Sequence, residues 1–227
     1  DLEAAKLALA CEAAALQTSR RITNSEGAAV SAQQSHFFSA HTRGFAGGYA
    51  SSRHSLSVAP IAGEGDDMQR DAWYEVQHKF ARLASAESIG QEAARRAVRR
   101  LGARRVATKR VPVVFDQETA GSLLANLCSA VSGYGLYKRA SFLLDQLGHT
   151  VASDRITVYD DGRMVGGLGS RPFDGEGLAT RKNTIVERGV LKSYLLDTYS
   201  GKKLGLPSTG SASRSVGESP SVGPRSE

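Results

Sequence analysis

Ile185-Val186-Glu187-Arg188-Gly189-Val190-Leu191-Lys192-Ser193-Tyr194-Leu195-Leu196 places two apolar runs on either side of an Arg-Gly pair. Glycine tolerates the left-handed backbone that a tight reversal needs, so Glu187-Arg188-Gly189 reads as a turn between a strand at Ile185–Glu187 and one at Val190–Leu196. Upstream, Arg155–Tyr159 reads as a further strand. Thr119–Ser132 reads as a helix stopped by Gly133, with Leu123, Leu124, Leu127 and Val131 on one side. Lys109, Arg110 and Pro112 mark a linker, and Val113-Val114-Phe115 reads as the start of a new strand, so a domain boundary falls between residues 110 and 111. The second domain, 111–227, is mainly β with flanking helices.

The first domain, 1–110, has a different pattern. Leu2, Ala5, Leu9, Ala13 and Leu16 recur at steps of three and four, which predicts a helix over Asp1–Ser19 with those residues as its apolar stripe. Asn24-Ser25-Glu26-Gly27, His41-Thr42-Arg43-Gly44 and Gly63-Glu64-Gly65-Asp66-Asp67 are turn clusters separating β-compatible runs such as Ser35–Ser39 and Leu56–Ile61. They predict an antiparallel meander ending in a strand around Asp71–Val76. A second helix is predicted over Ser88–Leu101, with Ser88 and Gln91 as a capping box, Ile89, Ala93, Ala97 and Leu101 facing inward, and Gly102 in the left-handed position beyond its end. The expected fold class is therefore α+β: a helix and antiparallel β-meander domain followed by a β-rich domain with flanking helices.

Composition narrows the function classes. With 227 residues, 41% hydrophobic and 23% charged, the chain can bury one or two cores. No run approaches the ~20 apolar residues of a membrane span and Asp1 opens no signal peptide, so a cytoplasmic setting is the simplest expectation. Cys11 and Cys128 form no C-x-x-C pair and read as two buried free thiols. The net charge of +6 and the cluster Arg95, Arg96, Arg99, Arg100, Arg104 and Arg105 raise the prospect of a polyanionic partner. No aromatic stacking platform or Cys/His finger accompanies them, so a solvated helix face is the reading adopted. Gly162–Gly169 is glycine-rich but lacks the order of a phosphate loop.

Five signatures then fall in one order: Ser141-Phe142-Leu143 leading to Leu147-Gly148, Val158-Tyr159-Asp160-Asp161-Gly162, Phe173-Asp174-Gly175-Glu176-Gly177, Glu187-Arg188-Gly189-Val190-Leu191, and Ser208-Thr209-Gly210. Together they resemble the TldD/PmbA family, once described as modulators of DNA gyrase and now read as two subunits of a cytoplasmic bacterial metalloprotease. The resemblance extends upstream to Asp1 and implies that both family termini are missing, the second domain being the N-terminal part of the family's β-rich C-terminal domain.

In the catalytic branch of that family the helix matching Thr119–Ser132 carries H-E-x-x-x-H, two zinc ligands and a general base. Aligned on Leu123-Leu124, those positions fall at Ala125, Asn126 and Ala130, none of which can serve. No His, Asp or Glu lies between Thr119 and Lys138, so an alignment shift does not restore the site. The resemblance is thus to the PmbA branch, also called TldE, and it implies a TldD-type partner that holds the zinc, with unfolded or small peptides as substrates. On this reading the chain itself has no catalytic, cofactor-binding or metal residues. His36, His41, His54, His78 and His149 lack zincin spacing and read as scattered. Asp160, Asp161, Asp174 and Glu176 are either a gathered carboxylate site or turn carboxylates capping backbone N–H groups, and the turn reading is adopted. The rivals are a metallopeptidase in its own right and a nucleic-acid or gyrase-associated regulator.

Overall fold

A computed structural model of the protein describes residues 2–215 and 217–224. The fold is α+β, with five α-helices and antiparallel sheets among the described residues. The chain forms two compact units. The first comprises Asp1–His36 and Ala50–Arg110; the second comprises Phe37–Tyr49 and Val111–Glu227.

In the first unit, helix α1 (Leu2–Thr18) leads into two long strands, β1 (Ile22–His41) and β2 (Phe45–Ala62), whose outer end, 37–49, belongs to the second unit. Two short strands complete the meander. β3 (Gln69–Arg70) pairs Ile61 and Ala62, while β4 (Trp73–Gln77) pairs His54–Val58. Pro60 falls in the gap between them, where β2 has no N–H to give a neighbouring strand. Asn24–Gly27 is not a turn: β1 runs straight through it, with Gly27 at φ 109°. Long-range pairing overrides local turn propensity here, and the glycine absorbs the irregularity. The reversal at His41–Gly44 occurs as expected, with Gly44 N–H donating to His41 O.

Helix α2 (Ala86–Arg99) begins three residues earlier than its sequence suggests, because Ser85 rather than Ser88 is the cap: the Ser85 hydroxyl accepts from Ser88 N–H. Its inward face is as expected, with Ile89, Ala93 and Ala97 buried and Leu101 packed beside them, and Gly102 has φ +72°. α1, by contrast, turns the opposite face inward. Leu2, Leu9 and Leu16 are 73%, 64% and 41% exposed, whereas Cys11 and Ala15 are fully buried with Leu7 packed against them. The helix is apolar all round, so periodicity predicts the helix but not which side packs. The choice is steric. A Cβ on Gly90 of α2 would lie 2.3 Å from Cys11 O and 2.9 Å from Ala15 N, so only the small-residue face of α1 allows this approach.

The arginine cluster is partly engaged within its own unit. Arg96 stacks on Trp73 at 4.9 Å and pairs with Asp71 at 3.7 Å, Arg100 reaches the same carboxylate at 3.6 Å, and Arg95 pairs with Glu92 at 3.1 Å. Burial, reinforced by Glu12, pushes the Cys11 thiol up to about 11 from an ordinary 9.0. Below pH 9 the thiol is protonated in both folded and unfolded chains. Between about pH 9 and 11 only the unfolded chain ionises, so stability must fall as pH rises, by at most ~1.4 kcal/mol per pH unit. Urea titrations of the wild type and Cys11→Ala across this window should diverge by that slope, and Cys11 should resist iodoacetamide at pH 8 until the unit unfolds.

The second unit holds α3 (Gln117–Ala130), α4 (Gly133–Tyr137), a β5–β6–β7 sheet (Val158–Asp161, Lys182–Glu187, Val190–Leu191), α5 (Thr198–Leu204) and a small β8–β9 pair (Ala212–Ser213, Ser221–Val222). Its core gathers Val131, Leu136, Leu143, Ile185, Val186, Leu191, Tyr194, Leu195 and Leu196. The Arg188-Gly189 reversal is as expected: both residues have positive φ, 46° and 80°, the signature of a two-residue type I′ hairpin.

Several boundaries differ, among them β6, which begins at Lys182 rather than Ile185, and α3, which spans Gln117–Ala130 rather than Thr119–Ser132. Val113-Val114-Phe115 forms no strand and Val114 is 96% exposed, since β-propensity without a partner to take the backbone groups does not make a strand. Strand β5 starts at Val158 rather than Arg155, and β7 stops at Leu191, after which Leu195 makes only a single parallel bridge to Ser132. Cys128 is half-buried rather than buried, and burial followed by the Asp160 carboxylate pushes its thiol up. Asp1 and residues 225–227, the ends of two sequence-based segments, lie outside the described residues.

Candidate functional site: a tyrosine-lined pocket

Helix α3 is capped by Asp116, whose carboxylate accepts from Glu118 N–H at 3.2 Å. Its far end is held by Ser141, which donates to Ala130 O at 2.5 Å and accepts from Leu143 N–H at 3.1 Å. The first signature is therefore a C-terminal brace for this helix. Between the two braces most of α3 is uncovered: Leu123 and Leu124 are about half exposed, and Ala125 and Asn126 on the same stretch are exposed. Asn126 spends its amide donating to Ser122 O, one turn back, at 2.8 Å. The donor set on this helix does not fit zinc. Its one thiol is Cys128, and among the described residues no three His, Cys, Asp or Glu side chains come together.

The histidines lie apart in roles of their own. His41 stacks on Phe45, His54 meets Phe80 edge-on, His78 pairs through Nδ1 with Ser52 O, and His36 and His149 are exposed.

Three of the four acidic side chains, Asp161, Asp174 and Glu176, are tied to backbone as turn carboxylates are; Asp160 is not at a turn but inside strand β5. Asp174, 2% exposed, accepts through Oδ1 from Glu176 N–H and Leu178 N–H, both at 2.9 Å, and through Oδ2 from Ala212 N–H at 3.2 Å. Asp161 accepts from Arg163 N–H at 3.0 Å as β5 ends, and Asp160 is buried within that strand. Glu176 reaches α5, where Oε2 accepts from both Thr198 N–H (2.8 Å) and Thr198 Oγ1–H (2.6 Å). Gly177 must be glycine twice over: φ is +83°, and a Cβ would lie 2.8 Å from the Phe45 ring. Ser208-Thr209-Gly210 is a comparable hub, with Thr209 Oγ1 accepting from Leu196 N–H at 2.7 Å and Thr209 O receiving Asn183 Nδ2 at 3.1 Å.

What the sequence did not single out is a cavity of about 680 Å³ lined by Tyr134, Tyr137, Tyr199, Glu176, Asp197 and the 219–222 segment. Its rings form an edge-to-face chain, Tyr134–Tyr137 and Tyr137–Tyr199 each at 5.6 Å between centroids. Tyr134 and Tyr199 are 57% and 56% exposed. Asp197 caps α5 reciprocally with Ser200, its carboxylate accepting from Ser200 N–H at 2.7 Å while Ser200 Oγ accepts from Asp197 N–H. The Asp-x-x-Ser cap was legible in the sequence. The convergence was not, because Tyr134 and Tyr137 are separated from Tyr199 by more than sixty positions and meet only when α4 and α5 pack on one another.

Comparison with known proteins matches both parts of the chain to metallopeptidase domains. Residues 108–226 match the family model of the PmbA/TldA metallopeptidase C-terminal domain, and residues 1–101 match that of the central domain. The chain belongs to the PmbA/TldD metallopeptidase family. It is 40% identical to the metalloprotease PmbA of Escherichia coli O157:H7 over 92% of its own length and 47% of that protein. A metalloprotease TldD homolog of Buchnera aphidicola matches at 33% over 55% of this chain and 26% of its own. Among solved structures, a candidate modulator of DNA gyrase from Bacteroides thetaiotaomicron superposes with a TM-score of 0.85 at 33% identity, covering 92% of this chain and 48% of that one. The chain thus spans about half the length of the relatives it matches. No helix among the described residues is long and apolar enough to cross a membrane.

Proposed function

We propose that this chain is the PmbA/TldE-like, non-catalytic subunit of a two-subunit metallopeptidase, supporting a TldD-type partner that holds the zinc and cleaves unfolded or small peptides. The observation that carries the proposal is α3. Where the catalytic branch places two ligands and a base, this helix has Ala125, Asn126 and Ala130, which supply neither metal coordination nor a general base near neutral pH. The longer match to a PmbA protein than to a TldD homolog supports the same branch. Engagement of Arg95, Arg96 and Arg100 with Glu92, Asp71 and Trp73 gives three of the six clustered cations a structural use and favours this reading over a nucleic-acid regulator.

Co-purification of the full-length subunit with a TldD-type chain, followed by metal analysis of each, tests the proposal. The expected outcome is zinc in the partner, metal-poor preparations of this chain, and peptide turnover that rises when this subunit is added while it has none alone. Ala130→Ser should leave the stimulation intact. Stoichiometric zinc in this chain that disappears with one of its histidines would overturn the assignment.

A further inference from the structure

The tyrosine-lined cavity of the second unit brings together aromatic rings and carboxylates, the latter held by their bonds to α5. Its volume, about 680 Å³, is in the range of small-ligand pockets. Two of its three tyrosines, Tyr134 and Tyr199, are more than half exposed and so remain accessible to solvent. Two carboxylates line it. Asp197 is only 6% exposed, and Glu176 is fixed by its double contact with Thr198, so both negative charges are pre-positioned. Aromatic faces and fixed carboxylates are complementary to one ligand chemistry, an organic cation. The protein already shows this preference in its own side chains: Lys138 Nζ lies 4.1 Å from the centroid of the Tyr134 ring and Lys203 Nζ 5.5 Å from that of Tyr199.

We propose that the pocket formed by Tyr134, Tyr137, Tyr199, Glu176 and Asp197 is a subsite for the basic side chain of a peptide, a lysine ammonium or an arginine guanidinium. That the cation arrives on a peptide rests on the function proposed above; that the pocket selects a cation does not. The subsite gives the subunit a side-chain preference, biasing it toward peptides that carry a positive charge. The overall field opposes this preference, since the chain carries a net charge of +6. Selection of a cation must therefore be local to the two carboxylates and the rings.

The test uses the isolated 227-residue chain and three fluorescein-labelled Gly/Ser octapeptides that differ at one central position, carrying Lys, norleucine or Glu. The Lys probe is expected to bind about 5-fold or more tighter than the norleucine probe, with the Glu probe weakest, and the preference should shrink as salt rises. Tyr137→Ala and Tyr199→Ala should each reduce the Lys preference several-fold, while Tyr199→Phe, which keeps the ring, retains it. Equal binding of the Lys and norleucine probes, binding of none of them at millimolar protein, or a Lys preference that survives in a folded Tyr137→Ala/Tyr199→Ala chain would overturn the proposal. No TldD-type subunit is present in this assay, so a failure to stimulate such a partner and a failure of the pocket are read separately.

Discussion

Gly90→Ala should lower the stability of the first unit by about 3 kcal/mol or more, although the same change in an open helix is favourable. Helix propensity alone gives alanine an advantage of up to ~1 kcal/mol over glycine. The added Cβ, however, would lie 2.3 Å from Cys11 O and 2.9 Å from Ala15 N. Both are backbone atoms of α1 and cannot rotate away, so the two helices must separate and the layer of Cys11, Ala15, Ile89 and Ala93 loosens with them. Gly121→Ala in α3 is the internal control, since its Cβ meets nothing within 4 Å and should stabilise by ~0.5–1 kcal/mol. Urea unfolding followed by far-ultraviolet circular dichroism reads both. A Gly90→Ala chain as stable as the wild type would mean that α1 and α2 do not pack this closely.

Asp174→Ala should cost the second unit about 3–5 kcal/mol, because three N–H groups lose their acceptor in a site only 2% exposed. Asp174→Asn should cost ~2 kcal/mol. The amide oxygen can keep the Glu176 and Leu178 donors, but its NH2 would then face Ala212 N–H, donor against donor. Glu176→Gln should cost under ~1 kcal/mol, since a single oxygen accepts both bonds from Thr198. This graded order is the mark of turn carboxylates. A catalytic pair gives the reverse, with folding preserved and turnover of the reconstituted complex down by roughly 100-fold or more. Melting and peptide turnover measured on the same complex separate the two, and an intact fold with abolished turnover in Glu176→Gln would remove the structural assignment.

The α+β class, helices α1, α2 and α3, the meander and the type I′ reversal at Arg188-Gly189 follow from local rules: periodicity, turn chemistry and glycine's access to positive φ. Side-chain chemistry is equally local: Ala125 and Ala130 carry no donor atom and Asn126 only a neutral amide, whatever their conformation. Tertiary structure decided the rest. Which face of α1 is buried depended on the close approach of Gly90, which no pattern within α1 encodes, because that helix is apolar on both sides. Val113-Val114-Phe115 had strand propensity but no partner, and Asn24–Gly27 had turn propensity but was held in a long pairing. Asp174 was legible as a turn carboxylate, but its third donor, Ala212 N–H, thirty-eight positions later, was not. The tyrosine pocket exists only because α4 packs on α5. Local sequence fixes what a segment can form, whereas the burial of one face, the partner of one carboxylate and the walls of one cavity are set by residues distant in the chain.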